Sequence, residues 1–313
     1  MPELRKNLLT GEWVSIAEER AKRPTSFKGI GLGHNAGDKC PFCRGNENMT
    51  TAEVYRSDNG RVRIISNLYP VLTKESTCGF GIHDVVIDTD RHEEQLHEFS
   101  VDDLSEVFIG IRHRVKELKK DKNIRYIQVF KNQGALAGAS QPHSHWQIVA
   151  LPIIPLMQRN IYKNSYNYYA ETGKCYICDE IIRKSNCGTI YENSLFKAFC
   201  NHASKFCYET HITPKYHCSN FENLDDKQAT ELAEVLKKSL TALNAVYKDL
   251  NYNICLMNSL VNSRGLDNLD DCMHYYIQII PRTGHLAGFE FATHSYINSI
   301  PPEKAAKTLS NLI

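Results

Sequence analysis

The sequence predicts an α+β protein: a tandem repeat of two similar domains, each a mainly antiparallel sheet with helices on one face. Three observations carry that expectation. The chain has 313 residues, about twice a typical ~150-residue domain. It repeats itself along its length. Within each repeat the apolar spacing changes from period two to a helical period and back.

In the first pass CPFC (40–43) is followed by RVRIISNLYPVL (61–72), HDVVIDTDRH (83–92), a helix, RYIQVFKNQG (125–134) and HSHWQIVALP (143–152). In the second, CYIC (175–178) is followed by TIYENSLFKAF (189–199), YETHITPKYH (208–217), a helix, YNICLMNS (252–259) and HYYIQIIPR (274–282). The first helix starts at Ser100, with Asp103 as the acid of a capping box. Leu104, Val107, Phe108, Ile111, Val115 and Leu118 then recur at helical spacing, and Leu232, Val235, Leu236, Leu240, Leu243 and Val246 are their counterparts. Runs 125–130 and 208–213 alternate as strands with one covered face. The boundary falls near residues 155–172, where the tyrosine-rich stretch 162–169 leads into CYIC. The expected domains are residues 1–160 and 161–313.

Thirty-seven Lys and Arg against thirty-six Asp and Glu leave a net charge of +1. No global field favours nucleic acid or an acidic membrane, so any anion site must be local. No apolar run approaches the ~20 residues of a membrane span, and residues 1–10 lack the apolar stretch of a signal peptide. A cytoplasmic protein is expected.

Eleven cysteines are a high and odd count, whereas a secreted disulfide scaffold would be shorter and evenly paired. Four form the two CxxC pairs Cys40/Cys43 and Cys175/Cys178; the other seven are expected to be small packed hydrophobes. A lone CxxC is as readily accidental or redox-active as it is metal-binding. A tetrahedral zinc, however, needs two ligands beyond the two thiolates, and the repeat offers histidines at matching places. These are His92 and His143 in the first half, and His217 and His274 in the second. Two zinc ions per chain are expected, as structural ties between the CxxC loops and the sheets.

Superimposing the repeats isolates one residue. His143-Ser144-His145-Trp146-Gln147 aligns with His274-Tyr275-Tyr276-Ile277-Gln278. The first histidine and the glutamine persist, while His145 faces Tyr276. If His143 is the ligand, His145 is free for chemistry. On a strand His143, His145 and Gln147 share a face. A neutral imidazole there can attack phosphorus if its other nitrogen donates to a fixed acceptor, with Gln147 holding a phosphoryl oxygen. The loop before it, 131–140, supplies Gly134 and Gly138 for close backbone approach and Asn132, Gln133 and Ser140 as neutral donors. Alone, such a loop is equally a plain turn. Arg20-Ala-Lys-Arg23 is either a solvated basic turn or an arginine clamp on a diphosphate.

These features together resemble the galactose-1-phosphate uridylyltransferase family of the histidine-triad superfamily. The resemblance rests on TGEWV, RAKRP, CPFC, SNLYPVL, VFKNQGALAGASQPHSHWQ, ITPKYH, HYYIQIIPR and GFEFATHSYINSIPPEKAA, which span nearly the whole chain. It is strongest to the ADP-glucose phosphorylase-like branch, through the KNQG to ALP block, the second CxxC, and GFE with YIN. The resemblance implies two histidine-triad-like domains and a usual homodimer. His145 would be the nucleophile, with Ser140 and Gln147 on phosphate and Arg20, Arg23 and Asn132 on the diphosphate. Asn67 would line the nucleoside pocket, Phe289 and Glu290 would meet the sugar, and Cys40, Cys43, His92 and His143 would hold zinc. Ser144 stands where the uridylyltransferases usually have proline, and Ile297-Asn298 stand where a sugar-contacting glutamine would fall.

The leading expectation is a nucleotidyltransferase moving UMP or AMP between a nucleotide sugar and a hexose 1-phosphate through a covalent nucleotidyl-histidine. The rival of like chemistry is a phosphorylase splitting ADP-glucose or a dinucleoside polyphosphate with inorganic phosphate. A rival of another class is a non-enzymatic zinc module binding nucleotides or RNA. Near-zero net charge, with no basic, aromatic-studded face, argues against RNA.

Overall fold

The computed structural model describes residues 1–22, 40–183, 188–263 and 265–313. In chain order the elements are β1 (Glu3–Lys6), β2 (Trp13–Ile16), β3 (Glu53–Arg56), β4 (Arg63–Ser66), β5 (Ile82–Ile87), α1 (Val101–Leu118), β6 (Tyr126–Gln133), β7 (His145–Leu151) and α2 (Leu156–Thr172). The second half adds β8 (Gly188–Glu192), β9 (Phe196–Cys200), β10 (Thr210–Pro214), α3 (Asp226–Val246), β11 (Tyr252–Met257), α4 (Leu269–Cys272), β12 (Tyr276–Pro281), α5 (Gly288–Thr293), β13 (Tyr296–Asn298) and α6 (Pro302–Ser310).

Ten strands form one sheet in the order β3-β4-β5-β7-β6-β11-β12-β10-β9-β8. Read from its centre outward, the order is the same in both directions once each strand is replaced by its repeat partner. The expected duplication is thus a pseudo-twofold axis between β6 and β11, where Phe130 pairs with Cys255 and Lys131 with Ile254. The strand pairs within this sheet are all antiparallel.

One face carries the core. The Ser100 hydroxyl accepts from Asp103 N–H while the Asp103 carboxylate accepts from Ser100 N–H, so the capping box read from sequence starts α1. Asp225 and Gln228 do the same for α3. Leu104, Val107, Phe108 and Ile111 of α1, with Leu232, Val235, Leu236 and Leu243 of α3, are buried against Trp146, Ile148, Ile277 and Ile279 of the sheet. Each such side chain contributes ~1.5–3 kcal/mol through burial.

Strand alternation turns the other residues of β7 and β12 to the opposite face, among them His145, Gln147, Tyr276 and Gln278. Over the second half this face is covered by α2 and by the N-terminal segment: Leu9 packs with Phe199 and Tyr276. A separate three-stranded sheet, β1-β2-β13, lies beside that half, tied to it by Arg5–Glu303 (2.6 Å), Lys205–Glu12 (3.0 Å) and the Lys304–Glu18 pair.

Two local expectations change. The stretch read as a connection, 155–172, is the 17-residue helix α2, held by Ile161 against Cys272 and Met273 and ended by Gly173 at φ +68°. Its tyrosines obscure the i, i+4, i+8 stripe of Met157, Ile161 and Ser165. Of the cysteines outside the CxxC pairs, Cys200 and Cys272 are buried and Cys207, Cys218 and Cys255 half-buried, as expected, but Cys78 is exposed; Cys187 lies outside the described residues. No helix among the described residues is long and apolar enough to cross a membrane.

Candidate active site

The two CxxC pairs meet the histidines that the repeat assigned to them. Cys40, Cys43, His92 and His143 form one cluster and Cys175, Cys178, His217 and His274 the other, each with its four ligand atoms within 4.8 Å of one another. In the first, Cys43 Sγ lies 3.4 Å from His92 Nδ1, and His143 Nδ1 lies 3.5 and 3.6 Å from the Sγ atoms of Cys40 and Cys43. In the second, Cys178 Sγ is 3.5 Å from the Nδ1 atoms of both His217 and His274. Metal bonds of ~2.0–2.3 Å imply tetrahedral edges of roughly 3.3–3.8 Å, so both donor sets fit a tetrahedral ion. The far ring nitrogens of three of the four histidines are already engaged. His143 Nε2–H donates to Thr89 O (2.9 Å), His217 Nε2–H to Asp270 O (2.6 Å) and His274 Nε2–H to Pro214 O (3.2 Å). That leaves each Nδ1 bare for a metal.

His145 is 6% exposed and opens β7. Its Nδ1–H donates to His143 O at 2.8 Å, which fixes the tautomer and leaves the Nε2 lone pair free. Burial lowers its pKa, and the Lys131 ammonium lowers it further, so the imidazole is neutral at pH 7. The Phe42 ring, from the CxxC loop, stands 5.4 Å from the imidazole; the Cys/His cluster therefore also places an apolar wall beside His145.

Beneath His145 lies a buried network whose role sequence reading missed. Lys131 Nζ donates to Asp88 Oδ2 (2.9 Å), Ser144 Oγ (2.6 Å) and His145 O (3.2 Å), and Ser144 Oγ–H donates to Asp88 Oδ2 (3.1 Å). Lys131 and Asp88 are both 0% exposed. Lys131 begins the segment read as a phosphate loop, yet it points into the protein and pins the peptide of the nucleophile.

Residues Lys131–Gln133 are the end of β6, and the loop proper begins at Gly134. Gly134 has φ +82° and ψ 161°, a region essentially reserved for glycine. A Cβ there would meet Asn251 Oδ1 at 2.2 Å, and that oxygen accepts from Leu136 N–H (3.0 Å). Asn253 Nδ2 donates to Asn132 Oδ1 and to Ala137 O, both at 2.8 Å. Two asparagines of the second repeat thus hold the loop of the first. Gly134→Ala is expected to destabilise the protein by about 1–3 kcal/mol and to slow turnover; an unchanged denaturation midpoint and rate would contradict this anchoring.

Gln147 Oε1 faces His83 Nε2 at 2.9 Å, and Asn67 Nδ2 lies 3.1 Å from the same nitrogen. Burial lowers the His83 pKa, keeping it neutral. Asn67 and His83 line a cavity of about 410 Å³ with Pro70, Leu72 and Arg114, and the His83–Gln147 contact joins its wall to the strand that begins at His145. Gln133 donates to Gln95 Oε1 (2.6 Å), and Ser140 is exposed near the loop end.

Other expected residues lie elsewhere. Arg20 is exposed in the turn after β2, and Arg23 lies outside the described residues. Phe289, 48% exposed, and Glu290 belong to α5, which packs on β13 of the small sheet; Glu290 Oε2 accepts from Ala287 N–H (2.9 Å). Arg20, Phe289 and Glu290 make no hydrogen bond or ring contact with His145 among those described.

A family model described as the N-terminal domain of a domain of unknown function, DUF4931, matches residues 22–154. ADP-glucose phosphorylase of Arabidopsis thaliana is 36% identical over 98% of this chain and 92% of its own length. Galactose-1-phosphate uridylyltransferase of Thermotoga maritima is 26% identical over 99% of this chain and 98% of its own. Among solved structures, the Arabidopsis thaliana ADP-glucose phosphorylase with bound ADP-glucose superimposes with a TM-score of 0.91 and 35% identity, covering all of both chains. A uridylyltransferase structure gives 0.78 and 25%, covering 100% of this chain and 98% of its own.

Proposed function

The chain belongs to the galactose-1-phosphate uridylyltransferase family, and from that premise we propose that this enzyme transfers AMP from ADP-glucose to inorganic phosphate through a covalent nucleotidyl-histidine on His145. The observation that carries the mechanism is the 2.8 Å bond from His145 Nδ1–H to His143 O, which presents Nε2 as a neutral nucleophile. In the first half-reaction Nε2 forms a bond to the α-phosphorus, and the bond from phosphorus to the bridging oxygen breaks, releasing glucose 1-phosphate. In the second, a phosphate oxygen attacks the same phosphorus and the P–N bond breaks, giving ADP and restoring the imidazole. Gln147 and Ser140 hold non-bridging oxygens, and Asn132 with the 134–140 backbone cradles the diphosphate. The base sits in the cavity by Asn67 and His83.

What favours phosphorolysis of ADP-glucose over the expected hexose 1-phosphate acceptor is similarity: 36% identity to the phosphorylase against 26% to the uridylyltransferase. The second reading, UMP transfer to a hexose 1-phosphate, keeps every catalytic role. Mixing the protein with ADP-glucose and phosphate should yield ADP and glucose 1-phosphate. Turnover only with UDP-glucose and galactose 1-phosphate would instead establish the transferase.

We assign zinc to both Cys2His2 clusters, Cys40/Cys43/His92/His143 and Cys175/Cys178/His217/His274. There it ties the CxxC loops to β7 and β12, residues 1–160 and 161–313 being the two domains. About two zinc per chain are expected, and chelation should lower the melting temperature more steeply at mildly acid pH, where protons compete for the thiolates. One zinc per chain would remove the second site. The protein is taken as a cytoplasmic homodimer. Arg20, Arg23, Phe289 and Glu290 of one copy would serve the His145 site of the other, since α5 and the turn after β2 share the small sheet.

A further inference from the structure

The pseudo-twofold axis gives the second repeat a counterpart of the catalytic face. Tyr276 replaces His145, Gln278 matches Gln147, Met257 matches Asn132, and Glu209 occupies the position of His83. Over this face, α2 and the N-terminal segment enclose a cavity of about 300 Å³, at the lower end of the ~300–1,000 Å³ of small-molecule sites. Its walls are aromatic and thioether: Tyr126, Tyr276, Met157 and Met257, with the His211 ring stacked on Tyr276 (5.2 Å, 17°). We propose that this cavity is a second ligand site, for an uncharged heteroaromatic ring bearing N–H donors, of nucleobase to nucleoside size.

Two observations set the ligand's chemistry. The first is charge. In the catalytic half Gln147 is bonded to a neutral histidine; here Gln278 Nε2 donates to Glu209 Oε1 (2.7 Å), which also receives His211 Nε2–H (2.8 Å). The one ammonium on the wall, Lys205, is held by Glu12 at 3.0 Å. Two carboxylates against one lysine leave no surplus positive charge for a phosphate, and loss of the nucleophile agrees with that. The second is an orphan acceptor. Gln158, on α2, is 4% exposed and lines the cavity. Its Nε2 lies 4.0 Å from the Met257 sulfur, and its Oε1 has no hydrogen-bond partner. A buried polar atom left so is costly, and an N–H on a ring stacked among these aromatic and sulfur groups would satisfy it.

The five methionines supply a local probe. With ε-¹³C-methionine label, adenosine, cytidine, guanosine and uridine are titrated in turn. At least one should shift the Met157 and Met257 methyl signals through its ring current while leaving the exposed Met49 unmoved. Gln158→Leu, which replaces the orphan amide with an apolar isostere, should weaken that binding at least tenfold without lowering the melting temperature. His145→Gly should leave it unchanged, so the result is independent of the catalytic reading. If no nucleoside moves either methyl at millimolar concentration, or if Gln158→Leu binds as well as the parent, the site does not exist as described.

Discussion

His145→Gly is expected to reduce turnover by roughly 10⁴-fold or more, the scale on which loss of a covalent nucleophile acts, while fold and metal content are kept. The division of labour is geometric. His143 directs Nδ1 at the Cys40 and Cys43 thiols and Nε2 at Thr89 O; His145, two residues on, turns its Nδ1 to a backbone carbonyl and has no contact with the cluster's sulfurs among those described. Glycine therefore deletes the proposed nucleophile and leaves the Cys40, Cys43, His92 and His143 set intact. Kinetics with metal analysis on the same sample check it. A variant that keeps measurable turnover, or loses metal, would show that the two histidines have been assigned the wrong way round.

The second large effect is on stability. Asp88→Ala leaves the Lys131 ammonium buried at 0% exposure with only Ser144 Oγ and His145 O as partners. Breaking a buried pair on one side costs ~3–5 kcal/mol, a large share of the ~5–15 kcal/mol that holds a domain together. Burial already lowers the Lys131 pKa against the pull of Asp88, so without the carboxylate the amine loses what keeps it charged. The double replacement Asp88→Leu with Lys131→Met should recover much of the stability. It should still lower kcat more than it changes KM, because the peptide bearing His145 has lost its anchor. A denaturant midpoint for Asp88→Ala within ~1 kcal/mol of the parent would mean the pair is energetically idle.

The fold was legible because its signals are local or repeated. Ser100 with Asp103 announces α1 in four residues, and the matched order of segments announces the sheet. The difference between His145 and Tyr276 stands out only because everything around it is duplicated. What sequence could not show are partnerships across distance. Asn251 and Asn253 carry no local signal of a role, yet they hold a loop more than a hundred positions earlier. Lys131 opens the 131–140 segment without a role that its sequence neighbours disclose; only the fold places Asp88 against its ammonium. Glu290, expected at a sugar, caps the start of α5 in the structure, where its carboxylate accepts from Ala287 N–H.

Because Asn253 reaches back 121 and 116 residues to Asn132 and Ala137, the reaction centre is completed late in synthesis. When the ribosome has delivered β7, the nucleophile's own strand neighbours are present, but the loop that follows β6 has nothing to close against. Such long-range closure is slow, since its entropy is lost before any contact rewards it. A chain that ends before β11 therefore lacks the contacts that hold the loop after β6, although β5, β6, β7 and the first Cys/His set are already made. The loop is held only when β11 docks along β6, so the same seam that doubles the sheet also times the ordering of the proposed site.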